Sequence, residues 1–190
     1  ALEQLGFPTH EESAYNFMVG NGINKLFERA LPEGEKTEAN ILRIRDLFIP
    51  FYAEHKMDKS RPYPGIPELL KELQRQGKQI AIASNKYQAG TEALVNHYFS
   101  EIKVAAVFGQ REGVNPKPDP TVVYDILNIT GISKKNVLYV GDSGVDMQTA
   151  LNSGITSCGV TWGFRPRTEL EAFAPTHIVD AAEEILALVS

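Results

Sequence analysis

Two carboxylates four residues apart, Asp142 and Asp146, stand in the run "NVLYVGDSGVDM". Asp142 closes an apolar stretch with the pattern of a buried strand, and Asp146 falls in the first turn of the helix expected after it. At this spacing both side chains share one face. One acid there is accounted for by helix capping and by the helix dipole, worth on the order of 0.5–1 kcal/mol. Two acids at one place repel each other unless a cation or a basic group lies between them. With oxygen ligands only, the cation that fits is Mg2+, which keeps several of its waters and is commonly shared with a phosphate.

A basic group is available in "NPKPDP". Pro116 and Pro118 hold the backbone around Lys117 extended, so its ammonium is presented from a stiff support. A solvated loop lysine is the ordinary alternative. Mounted at the carboxyl edge of a sheet, Lys117 can instead neutralise a phosphate and hold nearby carboxylates ionised. Asp119 and Pro120 read as the cap and first residue of a helix. Ser84 and Asn85 follow the apolar run "QIAIA" and offer a hydroxyl, an amide and backbone N–H groups at a strand-to-helix turn. That suits phosphoryl oxygens, although Ser-Asn is also common turn chemistry.

The elements that must position these groups occupy the second half of the chain. After "RPYPGIP" (Arg61–Pro67), apolar runs at 79–84, 104–109, 136–142, 156–163 and 177–179 alternate with helical stretches. The helices start near Pro67, Tyr87, Asp119, Ser143 and Arg167. This alternation predicts a parallel sheet covered by helices on both faces. In open sheets of this kind ligands bind beyond the carboxyl ends of the strands, where Ser84, Asn85 and Asp142 fall. Residues 1–60 contain no convincing strand. Gly20-Asn21-Gly22 predicts a tight turn between two helices, and is not a dinucleotide fingerprint, because no strand precedes it. A longer helix follows, with Ile44, Leu47, Phe48 and Phe51 on one apolar face and a kink expected at Pro50.

Composition bounds the rest. The 190 residues carry 43% hydrophobic and 23% charged side chains, ordinary for a folded soluble domain, and a net charge of −5 with no basic run. A nucleic-acid surface is therefore not expected. Cys158 is the only cysteine, which excludes an intrachain disulfide and a thiolate cluster. No apolar run approaches a bilayer span and no basic-then-apolar leader opens the sequence. A cytoplasmic protein that engages no membrane is the expectation. His10, His55, His97 and His177 are scattered without ligand spacing.

Together these signals resemble the haloacid dehalogenase superfamily, and within it the phosphoglycolate phosphatase-like group. "IAIASNK" at Ser84 is similar to the family's second motif, "KPDP" at Lys117 to its third, and "GDSGVDM" at Asp142 and Asp146 to its fourth. "VGNGINKLFERAL" looks like the helical cap of phosphoglycolate phosphatases. The resemblance implies an α/β fold, a Rossmann-like parallel-sheet core at 61–190 with an inserted α-helical cap domain at 1–60. It implies a Mg2+-dependent phosphomonoester hydrolase acting through an aspartyl-phosphate intermediate. By that resemblance Asp142 binds Mg2+ directly and Asp146 helps through the metal or its waters. Ser84, with the Asn85 backbone, holds the phosphoryl group, and Lys117 neutralises it. Gly20, Asn21, Lys25 and Arg43 (with Arg45 a further candidate) are cap residues for meeting the organic part of the substrate. The expected partner is a small phosphorylated metabolite, 2-phosphoglycolate first, and the expected assembly a monomer or homodimer.

The family's first motif, Asp-x-Asp-Gly-Thr, has no counterpart. The sequence opens in an apparent helix, so that motif and its nucleophile are expected upstream of Ala1, supplied by residues removed, unrecorded or carried on another chain. The strand bearing it would lie between those ending at Ser84 and Asp142. Phosphosugar mutase, pyrophosphatase, phosphonate hydrolase or dehalogenase chemistry on the same fold remains as an alternative. So does a truncated, non-catalytic member that binds phosphate or a protein. Asp142 and Asp146 argue against dehalogenation, which needs no Mg2+, and Lys25 sits in no convincing Schiff-base motif.

Overall fold

The structure, a computed structural model, describes residues 1–189. The chain divides into two compact units, Ala1–Arg61 and a second from Pro62 on.

The first unit is helical: a single 3₁₀ turn at Glu3–Leu5, then α1 (Glu12–Met18), α2 (Ile23–Ala30) and α3 (Glu38–His55). The opening helix expected from sequence is thus one turn only, ended by Gly6 in a left-handed conformation. Gly20 and Gly22, with φ of 111° and 87°, make the turn between α1 and α2. Thr37 caps α3 by accepting the Asn40 N–H at 3.2 Å. Leu2, Phe27, Ala30, Leu31 and Ile44 form a buried core, with Tyr15, Met18, Ile41 and Phe48 packed against it.

The apolar face predicted for α3 is only partly covered. Ile44 is buried, but Leu47 is 37% and Phe51 64% exposed. Phe48, between them in sequence, packs on Phe27 of α2 with ring centroids 5.2 Å apart. α3 also continues through Pro50 to His55 as one element.

The second unit alternates helix and strand: α4 (Ile66–Arg75), β1 (Ile80–Tyr87), α5 (Gln88–Tyr98), β2 (Val104–Gln110), α6 (Thr121–Thr130), β3 (Leu138–Gly141), α7 (Gly144–Ser153), β4 (Thr156–Val160), α8 (Arg167–Ala172), β5 (His177–Val179) and α9 (Glu184–Leu188). The five apolar runs of the sequence are these five strands. α9 was not foreseen. α6 starts one residue later than "DP" implied: Pro120 is its cap position, and Asp119 Oδ1 accepts the Thr121 N–H at 2.9 Å.

All strand pairs are parallel, but they form two sheets. β1 pairs with β2, matching Ile80 with Val104 and Ala83 with Phe108. β4 lies between β3 and β5, matching Val140 with Cys158 and Cys158 with His177. β1 and β3 share no ladder, so each has an edge without a strand partner among the described residues. Burial follows the same division. Cys158 and Val160 in β4 are 0% and 6% exposed, whereas Val140 in β3 is 41% exposed. β4 is buried on both faces from Ser157 to Val160, as a covered parallel strand must be. Cys158 and Val160 pack with Leu69 of α4 and Ile185 of α9, while Gly159 lies under Leu170 of α8.

Candidate functional site

One side chain joins β1 to the first turn of α7. Lys117 Nζ donates to the Ala83 carbonyl in β1 at 3.1 Å and to Asp146 Oδ1 in α7 at 2.6 Å. The pair is nearly buried, with side chains 12% and 10% exposed. Burial alone would draw the ammonium's pKa down. The Tyr139 and Asp146 partners outweigh it and hold Lys117 above the usual lysine value. The basic group expected beside these acids is therefore this lysine, and it meets Asp146.

Asp146 is held from every side. Its Oδ2 accepts the Ser143 hydroxyl at 2.6 Å, and its own N–H donates back to Ser143 Oγ at 3.3 Å. This reciprocal pair closes the N-terminus of α7, with Ser143 as cap and Asp146 three residues in. The Tyr139 hydroxyl reaches Asp146 Oδ1 at 3.4 Å. Burial pushes the Tyr139 phenol up to about 12, Lys117 opposing and Asp146 adding to the rise, so at neutral pH it remains a donor.

Asp142 is placed differently. It precedes the cap Ser143, so only Asp146 belongs to the first turn of α7, and the shared helix face expected from the four-residue spacing does not form. The physical reason is the capping geometry: the chain leaves β3 extended and becomes helical only after Ser143, whose ψ is 160°. Asp142 Oδ2 accepts the Phe164 N–H at 2.8 Å, from the loop after β4. Tyr63 lies within its field: burial first, then the Asp142 charge, raises the Tyr63 phenol above its ordinary value.

Two glycines make room for the two acids. A Cβ on Gly141 would sit 2.2 Å from Asp146 Cβ, and one on Gly163 would sit 2.2 Å from Asp142 Cβ. Each acid is thus seated on a surface that only glycine leaves open.

Ser84 and Asn85 lie inside β1 and not at the strand-to-helix turn expected for them, because the strand runs on to Tyr87, its pairing with β2 breaking between Ala83 and Tyr87. Ser84 Oγ accepts the Lys86 N–H at 3.1 Å, an acceptor role that leaves its own proton for donation. The Asn85 side chain faces Lys117: its Oδ1 accepts the Lys117 N–H at 2.8 Å and its Nδ2 donates to the Lys117 carbonyl at 3.0 Å. The Lys117–Pro118 peptide bond is cis.

The four cap candidates lie in the helical unit. Asn21 Oδ1 accepts from Arg29 Nη2 at 2.8 Å, Lys25 pairs with Glu28 at 2.6 Å, and Arg43 donates to Asn40 Oδ1 at 3.1 Å. Gly20 contributes backbone shape. Sequence reasoning missed Arg29, which fastens the Gly20–Gly22 turn by also donating to the Met18 carbonyl at 2.9 Å.

Sequence reasoning also missed Ser143 and Tyr139. Ser143 was visible as a Ser-x-x-Asp capping pattern. Tyr139 was visible only as a polar-tipped ring in a buried strand, which needs a partner for its hydroxyl.

Residues 1–160 match the family model of the haloacid dehalogenase-like hydrolases. The chain belongs to that family. A phosphoglycolate phosphatase of Mesorhizobium japonicum is 31% identical over 171 residues, 89% of this chain and 75% of that protein. One from Vibrio parahaemolyticus is 30% identical, over all of this chain and 86% of the relative. A crystal structure from Lactobacillus delbrueckii subsp. bulgaricus superposes with a TM-score of 0.92 at 28% identity, covering 99% of this chain and 87% of that one. A haloacid dehalogenase-like hydrolase of Streptococcus pneumoniae, 20% identical with a TM-score of 0.84, shares the fold. The chain is therefore a phosphatase-type hydrolase on a Rossmann-like α/β fold, and the Mesorhizobium and Vibrio relatives are phosphoglycolate phosphatases. No helix among the described residues is long and apolar enough to cross a membrane.

The donors present fit Mg2+ as a partial site. Among the described residues no three acids or histidines gather around one point. Asp142 has one oxygen engaged by the Phe164 N–H, whereas both oxygens of Asp146 already receive protein donors. One direct carboxylate, a second acid at the side and several waters is an arrangement this cation accepts.

Proposed function

We propose that this chain, joined by the strand that carries the attacking carboxylate, hydrolyses the phosphomonoester of a small anionic metabolite, with 2-phosphoglycolate the first candidate. The observation that carries the reading is Lys117, a buried ammonium fixed between a β1 carbonyl and Asp146 at the carboxyl edge of the strands. A cation so placed favours a phosphoryl group whose negative charge must be held in a water-poor site. Ser84, whose hydroxyl proton is available, and the Asn85 backbone supply further donors to the phosphoryl oxygens in this reading.

Asp142 would hold Mg2+ through a carboxylate oxygen, with Asp146 acting through the metal's waters. The metal, when bound, would polarise the phosphoryl oxygens. Lys117 would keep Asp146 oriented. The attacking carboxylate of an aspartyl-phosphate route belongs, in this proposal, on a strand seated between β1 and β3, the two edges without a partner among the described residues. An added parallel strand there would pair both edges at once. The division into a helical cap at 1–60 and a core at 61–190, the selection of the substrate's organic part through Asn21, Lys25 and Arg43, and a cytoplasmic setting are parts of the same proposal. The free, buried Cys158 is in keeping with a reducing compartment.

The deciding assay is p-nitrophenyl phosphate hydrolysis with and without Mg2+. Turnover that needs Mg2+ and is abolished in Asp142→Ala supports the reading. Turnover indifferent to Mg2+ overturns the metal assignment. Tight phosphate binding with no turnover identifies a phosphate-binding member of the family instead.

A further inference from the structure

We propose that the side chain of Asn85 is a positioning residue for Lys117: its amide fixes the lysine's backbone so that the ammonium meets Asp146 and the phosphoryl group. This rests on the hydrolase reading above for its catalytic consequence, but not for its structural content.

The geometry is a two-point match. Asn85 Oδ1 takes the Lys117 N–H at 2.8 Å, and Asn85 Nδ2 gives a hydrogen bond to the Lys117 carbonyl at 3.0 Å, across 32 residues of sequence. A carboxamide presents one acceptor and two donors in a plane, and here it pairs with one residue's backbone as a neighbouring strand would. The choice of residue follows from the local sequence. Pro116 and Pro118 have no N–H, so within Pro-Lys-Pro the only backbone donor is that of Lys117, and Asn85 is its partner.

The two ends of Lys117 are then held by the same strand. Asn85 grips the main chain, and Ala83, two residues earlier on β1, accepts from Nζ at 3.1 Å. Two residues of strand span about 6–7 Å, comparable to the extended four-carbon stem of a lysine. Lys117 is therefore laid along the end of β1 with its ammonium delivered to Asp146. The prolines stiffen the segment, and Asn85 sets where the stiff segment sits. Both the oxygen and the nitrogen of the Asn85 amide engage Lys117, so in this proposal the amide acts on the ligand through the lysine.

Two variants and one background test this. Asn85→Ala removes both contacts. Asn85→Asp is nearly isosteric and keeps an acceptor for the Lys117 N–H while losing the donor to its carbonyl. Hydrogen exchange by NMR reads the Lys117 amide. In Asn85→Ala its protection is expected to fall at least tenfold, with the Val123 amide inside α6 unchanged, and Asn85→Asp should retain much of it. Misplacement of a catalytic group by about 1 Å costs on the order of 100-fold, so kcat is expected to drop between tenfold and 100-fold in Asn85→Ala.

A residue that acts through Lys117 has nothing left to do once Lys117 is removed. Adding Asn85→Ala to Lys117→Ala is therefore expected to lower kcat no further. Equal Lys117 amide exchange in wild type and Asn85→Ala, or full additivity of the two substitutions, overturns the proposal. If wild type hydrolyses no phosphate ester, the hydrolase reading fails, and the exchange data alone decide the role of Asn85.

Discussion

The Lys117 ammonium lies 2.6 Å from Asp146 Oδ1 with both side chains nearly buried. Its neighbours, the Tyr139 and Ser143 hydroxyls, complete the hydrogen bonding of the carboxylate. A buried ion pair gains little over a well-packed apolar substitute, but removing one partner strands the other charge. Asp146→Ala is therefore expected to cost about 3–5 kcal/mol of unfolding free energy, measured by urea denaturation. Breaking the exposed Lys25–Glu28 pair, with side chains 56% and 38% exposed, should cost far less, because solvent screens it. Equal losses from the two pairs would contradict the burial argument.

Ser143 makes a separate contribution at the same place. Ser143→Ala deletes the cap of α7 and one of the three side chains that hold Asp146, and is expected to cost about 1 kcal/mol, within a range of roughly 0.5–2. Ser143→Thr, which keeps the hydroxyl, should retain most of it. A Ser143→Thr variant as unstable as Ser143→Ala would show that the hydroxyl is not what matters.

The thiol of Cys158 gives a pH dependence away from the site. Burial, with Glu184 adding, pushes this thiol from 9.0 up to about 11. Between those values the unfolded chain has released the proton and the folded one retains it, so stability must fall as pH rises through that window. Below pH 9 no such loss arises. The expected slope of unfolding free energy from this group is at most about 1.4 kcal/mol per pH unit, and Cys158→Ala should remove it. A thiol reagent at pH 8 should modify native protein far more slowly than unfolded protein. Fast native modification would mean that β4 opens readily.

Much of this was legible in the sequence because it depends on local chemistry. The apolar runs became the strands, and Ser84, Lys117 and Asp142 fell near strand ends because open parallel sheets put their loops there. Three things were not legible, each for a through-space reason. Whether Asp146 faces a metal or a lysine depends on where a segment 29 residues away in sequence comes to rest. The amide of Asn85 could equally have faced a ligand; only the packed loop shows it turned to Lys117. The exposure of Phe51 depends on which parts of α3 are covered in the folded unit, which hydrophobic periodicity does not encode.

The two glycine seats separate the roles of the two acids. Gly163→Ala would drive a methyl group into Asp142, and Gly141→Ala would drive one into Asp146. Overpacking of this kind costs about 1–3 kcal/mol, or several degrees of melting temperature in a chain of this size. The consequences should differ in kind. Moving Asp142 disturbs the carboxylate assigned to Mg2+, so Gly163→Ala is expected to raise the half-saturating Mg2+ concentration at least tenfold, with kcat largely recovered at high Mg2+. Moving Asp146 disturbs the partner of Lys117, which added Mg2+ does not replace, so Gly141→Ala should lose kcat at every Mg2+ concentration. Titration of Mg2+ in the p-nitrophenyl phosphate assay distinguishes the two. Recovery of both variants at high Mg2+ would make both acids metal groups, and recovery of neither would place Asp142 outside the metal site.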